Sequence, residues 1–477
     1  MTFRTMISSP LRLAWAGVVA GGCAVAMAVA PAQADSLRAA LGDAYANSQV
    51  LEQNRQLLRL QDERAAQRIA NLRPVVNFVA ESRWLSSDIG PPRRLPDGTT
   101  HTLSLVADLL VFDNGGSRDL LESAREIVLA ARYDLVSLEQ QVLLDAAVAY
   151  TNVWRDIQEV EVRESNVRVV SEQLRAARNR FAVGEDTRTD VAQAEAQLAA
   201  AQSSLAAARG QLEISRERFL LAVGRPVQGA IAPETLPDVP DTEDAADQLA
   251  RQQHPAIRSL QHQVRANEWA LAAARSDYGP ELTLRAQADA YKNRVIQGTP
   301  FDGTDTSLSL RLTQPLYRGG QLFALERSAI ATLAASEFEL QQQARAVVQT
   351  VGNAYAQLRI ANAQIQAADQ QIRAAQLALE GIQEGAALGA RTTLDVLDAE
   401  QDLLEARIGR IRAQANLHIQ TYVALESVGL LTVEHLGLDV PQYDPGAYTN
   451  AFINAPQRVP SLQGARLDAV LERLGRN

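Results

Sequence analysis

Cysteine, lysine, aromatic residues and long apolar runs are all scarce in this sequence of 477 residues. The one cysteine, Cys23, excludes a disulfide scaffold and a cysteine zinc site. The one lysine is Lys292, the net charge is −10, and no strong basic run marks a nucleic-acid-binding surface. Only the N-terminus carries an apolar run of about 20 residues, which excludes a transporter built from several membrane-spanning helices.

The sequence is otherwise rich in alanine, leucine and valine, and hydrophobic residues make up 47% of it, whereas 5% is aromatic. A disordered chain would hold fewer apolar residues. Length alone suggests about three globular domains, but the internal repeats favour a different division. The five histidines lack the spacing of metal ligands or of a catalytic triad, and no P-loop, GxSxG or HExxH motif occurs. We therefore predict no enzymatic activity, no cofactor and no metal site.

Residues 1–34 have the pattern of a secretory signal peptide. Arg4 and Arg12 precede an apolar stretch, and Ala32-Gln33-Ala34 fits the A-x-A cleavage site. A retained membrane anchor and a lipoprotein signal ending at Cys23 are the alternatives; the apolar stretch continues past Cys23. We predict export across the inner membrane of a bacterium.

The sequence repeats itself after 205 residues. Ala149-Tyr150 recurs as Ala354-Tyr355, and Asp190-Val191-x-x-Ala194-Glu195 recurs as Asp395-Val396-x-x-Ala399-Glu400. This period exceeds that of small solenoid repeats. We therefore predict two copies of one substantial unit, joined by a linker and followed by a tail. In order, these segments are residues 35–224, 225–243, 244–430 and 431–477.

Each copy opens with helical sequence, residues 36–71 and 244–278, which ends before Pro74 or Pro280 because a residue that precedes proline disfavours the helical conformation. The apolar period then falls from 3.6 to about 2 residues, which predicts strands with one apolar face. The apolar positions of the four strands are Val76, Phe78, Ala80 and Trp84; Leu103, Leu105, Ala107 and Leu109; Leu282, Leu284, Ala286, Ala288 and Ala290; and Leu308, Leu310 and Leu312.

Strands of about 10–13 residues can cross a bilayer when they are tilted. A half-buried sheet in a soluble protein is the alternative, but the surrounding helices offer no matching surface of bulky apolar residues. We therefore favour the membrane interpretation. Both hairpin tips, residues 89–98 and 295–305, are predicted to be solvent-exposed loops because they are rich in glycine, proline, aspartate and threonine.

Very long helices follow the strands. Residues 117–181 contain no proline or glycine and would form a rod of roughly 98 Å. Residues 321–384 are similar, with interruptions expected at Gly352 and Gly381. A turn ends each rod, and its alanine-rich return helix allows close packing on both sides, as in a wall of helices, although a lone antiparallel coiled coil is the alternative. The return helices are predicted over residues 189–223 and 393–428.

Four strands cannot close a membrane sheet on their own. Backbone groups within lipid must all be hydrogen-bonded, and the smallest single-chain barrels have about eight strands. Several copies are therefore required. Three copies would supply roughly twelve strands, with their polar faces around an aqueous lumen.

The sequence resembles the TolC family of outer-membrane export channels over residues 36–438. The most specific similarities are the repeated Asp-Val-x-x-Ala-Glu turn, the segment from Gly389 to Asp398, and the strand exit Pro315-Leu-Tyr-Arg-Gly-Gly320. The resemblance implies a mixed, mainly α fold in which a helix, a β-hairpin and a long helical hairpin form the duplicated unit. It also implies a trimer with a 12-stranded β-barrel in the outer membrane, continued by a 12-helix α-barrel in the periplasm.

The same resemblance implies a passive channel that exports proteins or small molecules such as drugs, as the outer component of a tripartite secretion or efflux system. The expected partners are two further copies of the chain, outer-membrane lipid, a periplasmic adaptor (membrane fusion) protein and an inner-membrane transporter that is either an ABC protein or proton-driven. Residues 436–445 are similar to members that serve type I protein secretion. No nucleic-acid partner is expected.

By its matching positions, the resemblance places a periplasmic gate at the helical turns. Arg391 is expected to bond to Asp190 or to Thr189 on an adjacent coil and so to hold the entrance shut. The alternative is a solvated surface charge pair worth well under ~1 kcal/mol. Ala386 stands where the family has a tyrosine, so the network of this chain is expected to be thinner or differently built.

The resemblance also assigns Asp395 and Asp398 to an acidic pore constriction. The two are three residues apart and hence neighbours on one helix face. In a trimer their carboxylates would gather in a narrow pore and attract cations. The alternative is a solvated helix face, and the copy-one counterpart of Asp398 is Gln193.

A periplasmic coiled-coil adaptor or structural protein without a pore is the alternative function. An adaptor would normally have one helical hairpin flanked by β-domains, whereas this chain has two repeats, each with an amphipathic strand pair.

Overall fold

A computed structural model describes residues 35–86, 98–185, 187–229, 231–232, 235–296 and 299–452. The predicted signal peptide, most of the first hairpin tip and the end of the tail lie outside these residues. The described part is mainly helical, with one four-stranded sheet. Its elements are α1 (Leu37–Asn47), α2 (Gln49–Ala70), β1 (Val75–Leu85), β2 (Gly98–Phe112), α3 (Gly116–Val183), α4 (Arg188–Val223), α5 (Glu243–Gln253), α6 (Pro255–Ser276), β3 (Glu281–Ile296), β4 (Thr299–Thr313), α7 (Gln321–Ala387), α8 (Thr393–Val428) and α9 (Pro445–Phe452).

The opening helix of each copy is two helices, so the prediction of one continuous helix was wrong in both copies. In the first copy, the Ser48 side chain accepts the Leu51 N–H and caps α2. In the second, His254 caps α6, which begins at Pro255. Serine is a favourable N-cap, and proline suits the first helical turn, where its missing N–H has no partner to lose. The breaks arise from this local capping, which competes with the apolar period.

The two rods, α3 and α7, have 68 and 67 residues, so each is about 100 Å long. The interruptions expected at Gly352 and Gly381 are absent from α7, which continues through both. A single glycine costs a helix only about 1 kcal/mol, and packing along the rest of the rod offsets that cost. None of the described helices is both long and apolar enough to span a membrane.

The four strands form one antiparallel sheet in the order β1-β2-β3-β4. Its register aligns the predicted apolar positions across the strands: Phe78 faces Leu105, which faces Ala288, and Leu284 faces Leu310. The other face is mainly polar and includes an Arg285–Asp108 ion pair at 2.6 Å. Large side chains of the apolar face are exposed in the single chain, with Phe78 at 69% and Leu308 at 73%. The predicted two-faced strands are therefore confirmed, and each is at least as long as a bilayer crossing requires.

The helices form a layer with α3 and α7 as its long members. Toward the turns the order is α4-α3-α8-α7, and toward the sheet it is α2-α3-α6-α7. Asn47, the last residue of α1, joins α1 to the end of α4: its side-chain amide donates to the Val223 carbonyl at 3.2 Å. The main apolar cluster combines α1, α3, α4 and α8 with the start of the tail, where Leu431 and Val433 are buried.

The repeated tyrosines anchor the segment that enters each copy. The Tyr150 hydroxyl donates to the Asp35 carbonyl at 2.7 Å, and the Tyr355 hydroxyl donates to the Pro240 carbonyl at 2.7 Å. Asp35 and Pro240 are also 205 residues apart. Arg225, just after α4, completes the first anchor through its guanidinium, which pairs with Asp35 and lies 2.6 Å from Asp43. The repeated Ala-Tyr pair thus marks a structural contact.

Candidate functional site

The two helical turns lie at the ends of two hairpins, which we call coil one (α3 and α4) and coil two (α7 and α8). Coil one turns at Gly184, with φ of 85°, and coil two at Gly389, with φ of 77°. Both values lie in the left-handed region, which glycine adopts without strain.

Each return helix begins with the same capping box. In coil one, the Thr187 hydroxyl accepts the Asp190 N–H, while the Asp190 carboxylate accepts the Thr187 N–H at 2.8 Å. In coil two, Thr392 and Asp395 make the same exchange, also with 2.8 Å between the Thr392 nitrogen and the carboxylate. Such boxes satisfy N–H groups that a helix N-terminus leaves free. The repeated Asp-Val motif therefore has a structural task that the sequence analysis missed, although the Thr-x-x-Asp spacing could have revealed it.

These contacts keep both carboxylates charged at neutral pH. The pKa of Asp190 is lowered by hydrogen bonds from the hydroxyl and backbone N–H of Thr187, with a smaller effect from the charge of Arg180. The pKa of Asp395 is lowered by the backbone N–H and hydroxyl of Thr392, with a smaller effect from Arg391. A negative charge also suits the positive end of the helix dipole.

A second pair of equivalent contacts joins the two helices within each coil. The Arg178 guanidinium lies 2.6 Å from the Glu195 carboxylate in coil one, and the Gln383 amide donates to Glu400 at 3.2 Å in coil two. Both pairs sit at matching positions of the repeat. Each hairpin is thus held together near its turn by its own side chains.

Coil one and coil two also contact each other near the turns. Arg180, in the last turn of α3, donates from Nη2 to Thr393 Oγ1 at 2.8 Å. Beside this bond, Leu397 of α8 is 3% exposed and packs against coil one, where its neighbours are Val170, Leu174 and Ala194. Sequence patterns gave no signal for either contact, since no period relates residues 213 positions apart.

Farther from the turns, the coils are joined again by a charged group. Arg412 of α8 lies 3.1 Å from the Glu159 carboxylate of α3. Glu159 also pairs with Arg163 of its own helix at 2.7 Å, and its side chain is 12% exposed. These residues line a groove of about 650 Å³ between α3, α4 and α8.

Arg391 folds back along coil two. Its Cγ lies so close to Gly385 that a Cβ there would be 2.9 Å away. Residue 385 is the repeat counterpart of Arg180, so copy two has no side chain at the position from which Arg180 reaches across in copy one. Within the described residues of one chain, Arg391 forms no ion pair with Asp190.

The remaining predicted site residues are accessible. Thr189 and Asp398 are exposed, and Asp395 is partly buried by its cap. One chain therefore brings Arg391 near Asp395 but leaves Thr189 and Asp190 on the other coil. Over the residues described, no group of three or more potential metal ligands occurs.

Comparisons with known proteins agree with this architecture. A family model described as outer membrane efflux protein matches residues 40–225 and 247–428. The outer membrane efflux protein BepC of Brucella suis biovar 1 is 31% identical over 424 residues, which cover 88% of this chain and 91% of BepC. The alkaline protease secretion protein AprF of Pseudomonas aeruginosa is 27% identical over 316 residues, 65% of each protein.

Among solved structures, CusC, whose transmembrane channel formation was studied, superposes with a TM-score of 0.75 at 17% identity, over 82% of this chain and 91% of that one. This likeness shows the fold. The family match covers both copies of the unit that carries the strand pair and the helical hairpin. The chain therefore belongs to the outer membrane efflux protein family, and its place is the outer membrane, from which it extends into the periplasm.

Proposed function

We propose that three copies of this chain form one passive export channel, with the sheets closed into a barrel and the helical turns forming its periplasmic gate. The main support for this proposal comes from the four-stranded sheet. Its edge strands, β1 and β4, are each paired on one side only, and one of its faces is mainly apolar. Backbone groups in lipid must all be paired, so strands from other copies have to complete the barrel.

The helical layer supports association as well. Its edge helices expose large apolar side chains that a single chain leaves uncovered: Leu221 of α4 is 87% exposed, and Phe338 and Leu377 of α7 are 69% and 71% exposed. Exposed apolar patches of this kind mark contact surfaces. Packing the α7 edge of one copy on the α2 and α4 edge of the next would bury them.

The trimer is tested by gel electrophoresis of the outer-membrane fraction without heating. We expect an SDS-resistant band of about three chain masses that Phe338→Ser weakens severalfold. Ser328→Ala, on the same helix, is the control. A wild-type chain that runs only as a monomer after mild detergent extraction would contradict the proposal.

For the gate, we propose that Arg391 of one copy bonds to Asp190 or Thr189 of the next. In a ring where coil one and coil two alternate, coil two contacts coil one of its own copy on one side and coil one of the next copy on the other. For the contact with the next copy, Gly385 offers no side chain that could act as Arg180 does within a copy. Arg391 lies in the space beside Gly385. Because Asp190 is held in its cap with its charge retained, it offers Arg391 a fixed carboxylate.

The gate is tested by conductance of single channels in lipid bilayers. Arg391→Ala is expected to raise the mean conductance severalfold, and Arg373→Ala, an exposed arginine farther along α7, to leave it unchanged. Equal conductance of wild type and Arg391→Ala would remove Arg391 from the gate.

Asp395 and Asp398 are proposed to line an acidic constriction. Asp395→Asn combined with Asp398→Asn removes both charges, while asparagine retains an oxygen that can serve the cap. We expect block by trivalent cations to disappear in this variant and to persist in the control Glu380→Gln, an exposed acid of α7. Persistent block in the double variant would assign the block to other groups.

As partners we propose a periplasmic adaptor and an inner-membrane transporter, since a passive channel leaves cargo selection and energy to other proteins. The relatives are described as efflux and protease secretion proteins, so small molecules and proteins are both candidate cargo. The partners are tested by export assays with neighbouring transporter and adaptor genes expressed together with this chain. Export that proceeds without any transporter would contradict this part.

A pore-free adaptor is the weaker alternative. An adaptor has no use for a four-stranded sheet with one largely apolar, exposed face, and the family match favours a channel. Recovery of the chain in the soluble periplasmic fraction would favour the alternative.

A further inference from the structure

The contact between coil one and coil two differs in kind from the contacts within each coil. Within each coil, a capping box and a side-chain bond between the two helices occur near the turn, at matching positions of the repeat. These interhelical bonds are Arg178–Glu195 and Gln383–Glu400. Each hairpin tip is therefore held together by contacts of its own. Between the coils of one chain, the bond from Arg180 to Thr393 is the polar contact nearest the turns that the described residues show.

The residues of this contact are well placed to hold a closed state. Thr393 is the first residue of α8 and is 9% exposed, so its hydroxyl is largely shielded from water. Leu397, one turn later, fills an apolar site between α3 and α4. A displacement of coil two away from coil one must break the Arg180 bond and expose Leu397 at the same time. The Arg412–Glu159 pair lies about five turns farther along each helix and can stay intact as a pivot.

The repeat shows that Arg180 is not required for the fold of a turn. Its counterpart in coil two is Gly385, which has no side chain. Coil two nevertheless forms the same glycine turn, the same capping box and the equivalent bond between its helices. The turn itself therefore needs no side chain at this position, and Arg180 uses its own to bond to Thr393 of the other coil.

We propose that Arg180 is a positioning residue of the gate, which holds coil two against coil one through Thr393 until the channel opens. This inference rests on the proposed function, and it gives the chain a latch within each copy in addition to the Arg391 link between copies.

The test compares single-channel conductance of Arg180→Gln, Thr393→Val and the double variant in lipid bilayers. We expect each single variant to raise the open fraction about tenfold, which corresponds to ~1.4 kcal/mol. The double variant should open no further than the singles, because each single change already breaks the bond between Arg180 and Thr393. Arg180→Lys keeps a cationic donor and should restore most of the closure. Arg178→Gln, two residues away and paired within coil one, is the matched control and should stay closed.

The amount of SDS-resistant oligomer shows whether each variant assembles. If Arg180→Gln does not assemble, Thr393→Val, which removes only a hydroxyl, still tests the latch. Additive effects of the two changes, or opening by Arg178→Gln of the same size, would overturn the latch. If Arg180→Gln channels stay closed while Arg391→Ala channels open, the latch is overturned and the proposed gate at Arg391 stands. If both variants stay closed, the gate at these turns is itself overturned, and if only Arg180→Gln opens, the latch stands without the Arg391 link.

Discussion

His254 lies where α5 ends and α6 begins, and its ring takes part in that junction. Nδ1 accepts the Ala256 N–H at 3.2 Å, and the backbone N–H of His254 donates to the Ala250 carbonyl at 2.9 Å. The site is crowded: a Cβ at Gly429 would lie 3.1 Å from the His254 Cα. Burial lowers the pKa of the ring from its ordinary 6.5 to about 4. A proton on the ring would be poorly solvated and would compete for the nitrogen that caps α6.

The sign and size of the pH effect follow from these two pKa values. Above pH 6.5 the ring is neutral in both states and contributes no pH dependence. As the pH falls from 6.5 to about 4, the unfolded chain binds the proton and the folded chain does not, so the free energy of unfolding falls. At about 1.36 kcal/mol for each pH unit, the loss reaches roughly 3 kcal/mol for each chain.

The variant His254→Asn isolates this contribution, because asparagine is a good N-cap that does not titrate in this range. Chemical unfolding of purified protein in detergent, monitored by circular dichroism between pH 7.5 and pH 4, gives the free energy for each. We expect the wild-type curve to fall more steeply than the variant curve by roughly 3 kcal/mol over this range. His435→Asn, a change at an exposed histidine, should follow the wild type. Parallel curves for wild type and His254→Asn would refute the argument.

Four further changes test the packing and the sheet. Arg225→Met leaves the Asp35 carboxylate, which is 2% exposed, without its cation, and should lower the unfolding free energy by about 3–5 kcal/mol. Tyr355→Phe removes the donor to the Pro240 carbonyl and should cost about 1–3 kcal/mol in the same assay. Leu425→Ala opens a cavity at a fully buried position, with a cost of about 2–5 kcal/mol in thermal or chemical unfolding. On the apolar face of β4, Leu310→Arg should reduce folding into lipid vesicles by about 2–4 kcal/mol, whereas Ser309→Arg on the opposite face should fold normally; equal yields would contradict the assignment of the faces.

Periodicity in the sequence predicted the strands and the rods well, because both depend on which face of an element is apolar. The alternation at Leu308, Leu310 and Leu312 predicted one face of β4, and the register shows that face continued across the sheet. The same method failed at Ser48 and at His254, where capping chemistry within three residues broke a helix that the apolar period continues through. It also failed at Gly352, because a rod packed along its length tolerates one glycine.

The candidate site was only partly visible in the sequence. The repeat drew attention to Asp190 and Asp395, but their identical surroundings show that both first serve to cap a helix. The asymmetry that distinguishes the coils lies at Arg180 and Gly385, where the repeat does not match. A search for similarity between the copies passes over such a difference.

The duplicated unit, the amphipathic strands and the length of the rods could all be predicted, since each follows from the spacing of residues along the chain. Which coil touches which depends on tertiary packing, and it is this packing that brings Arg180 to Thr393 across 213 residues. It also decided that the tail residues Leu431 and Val433 belong to the main core. Such contacts depend on how rods of about 100 Å lie side by side, and small shifts along a rod change every side-chain pair between them without altering any local pattern.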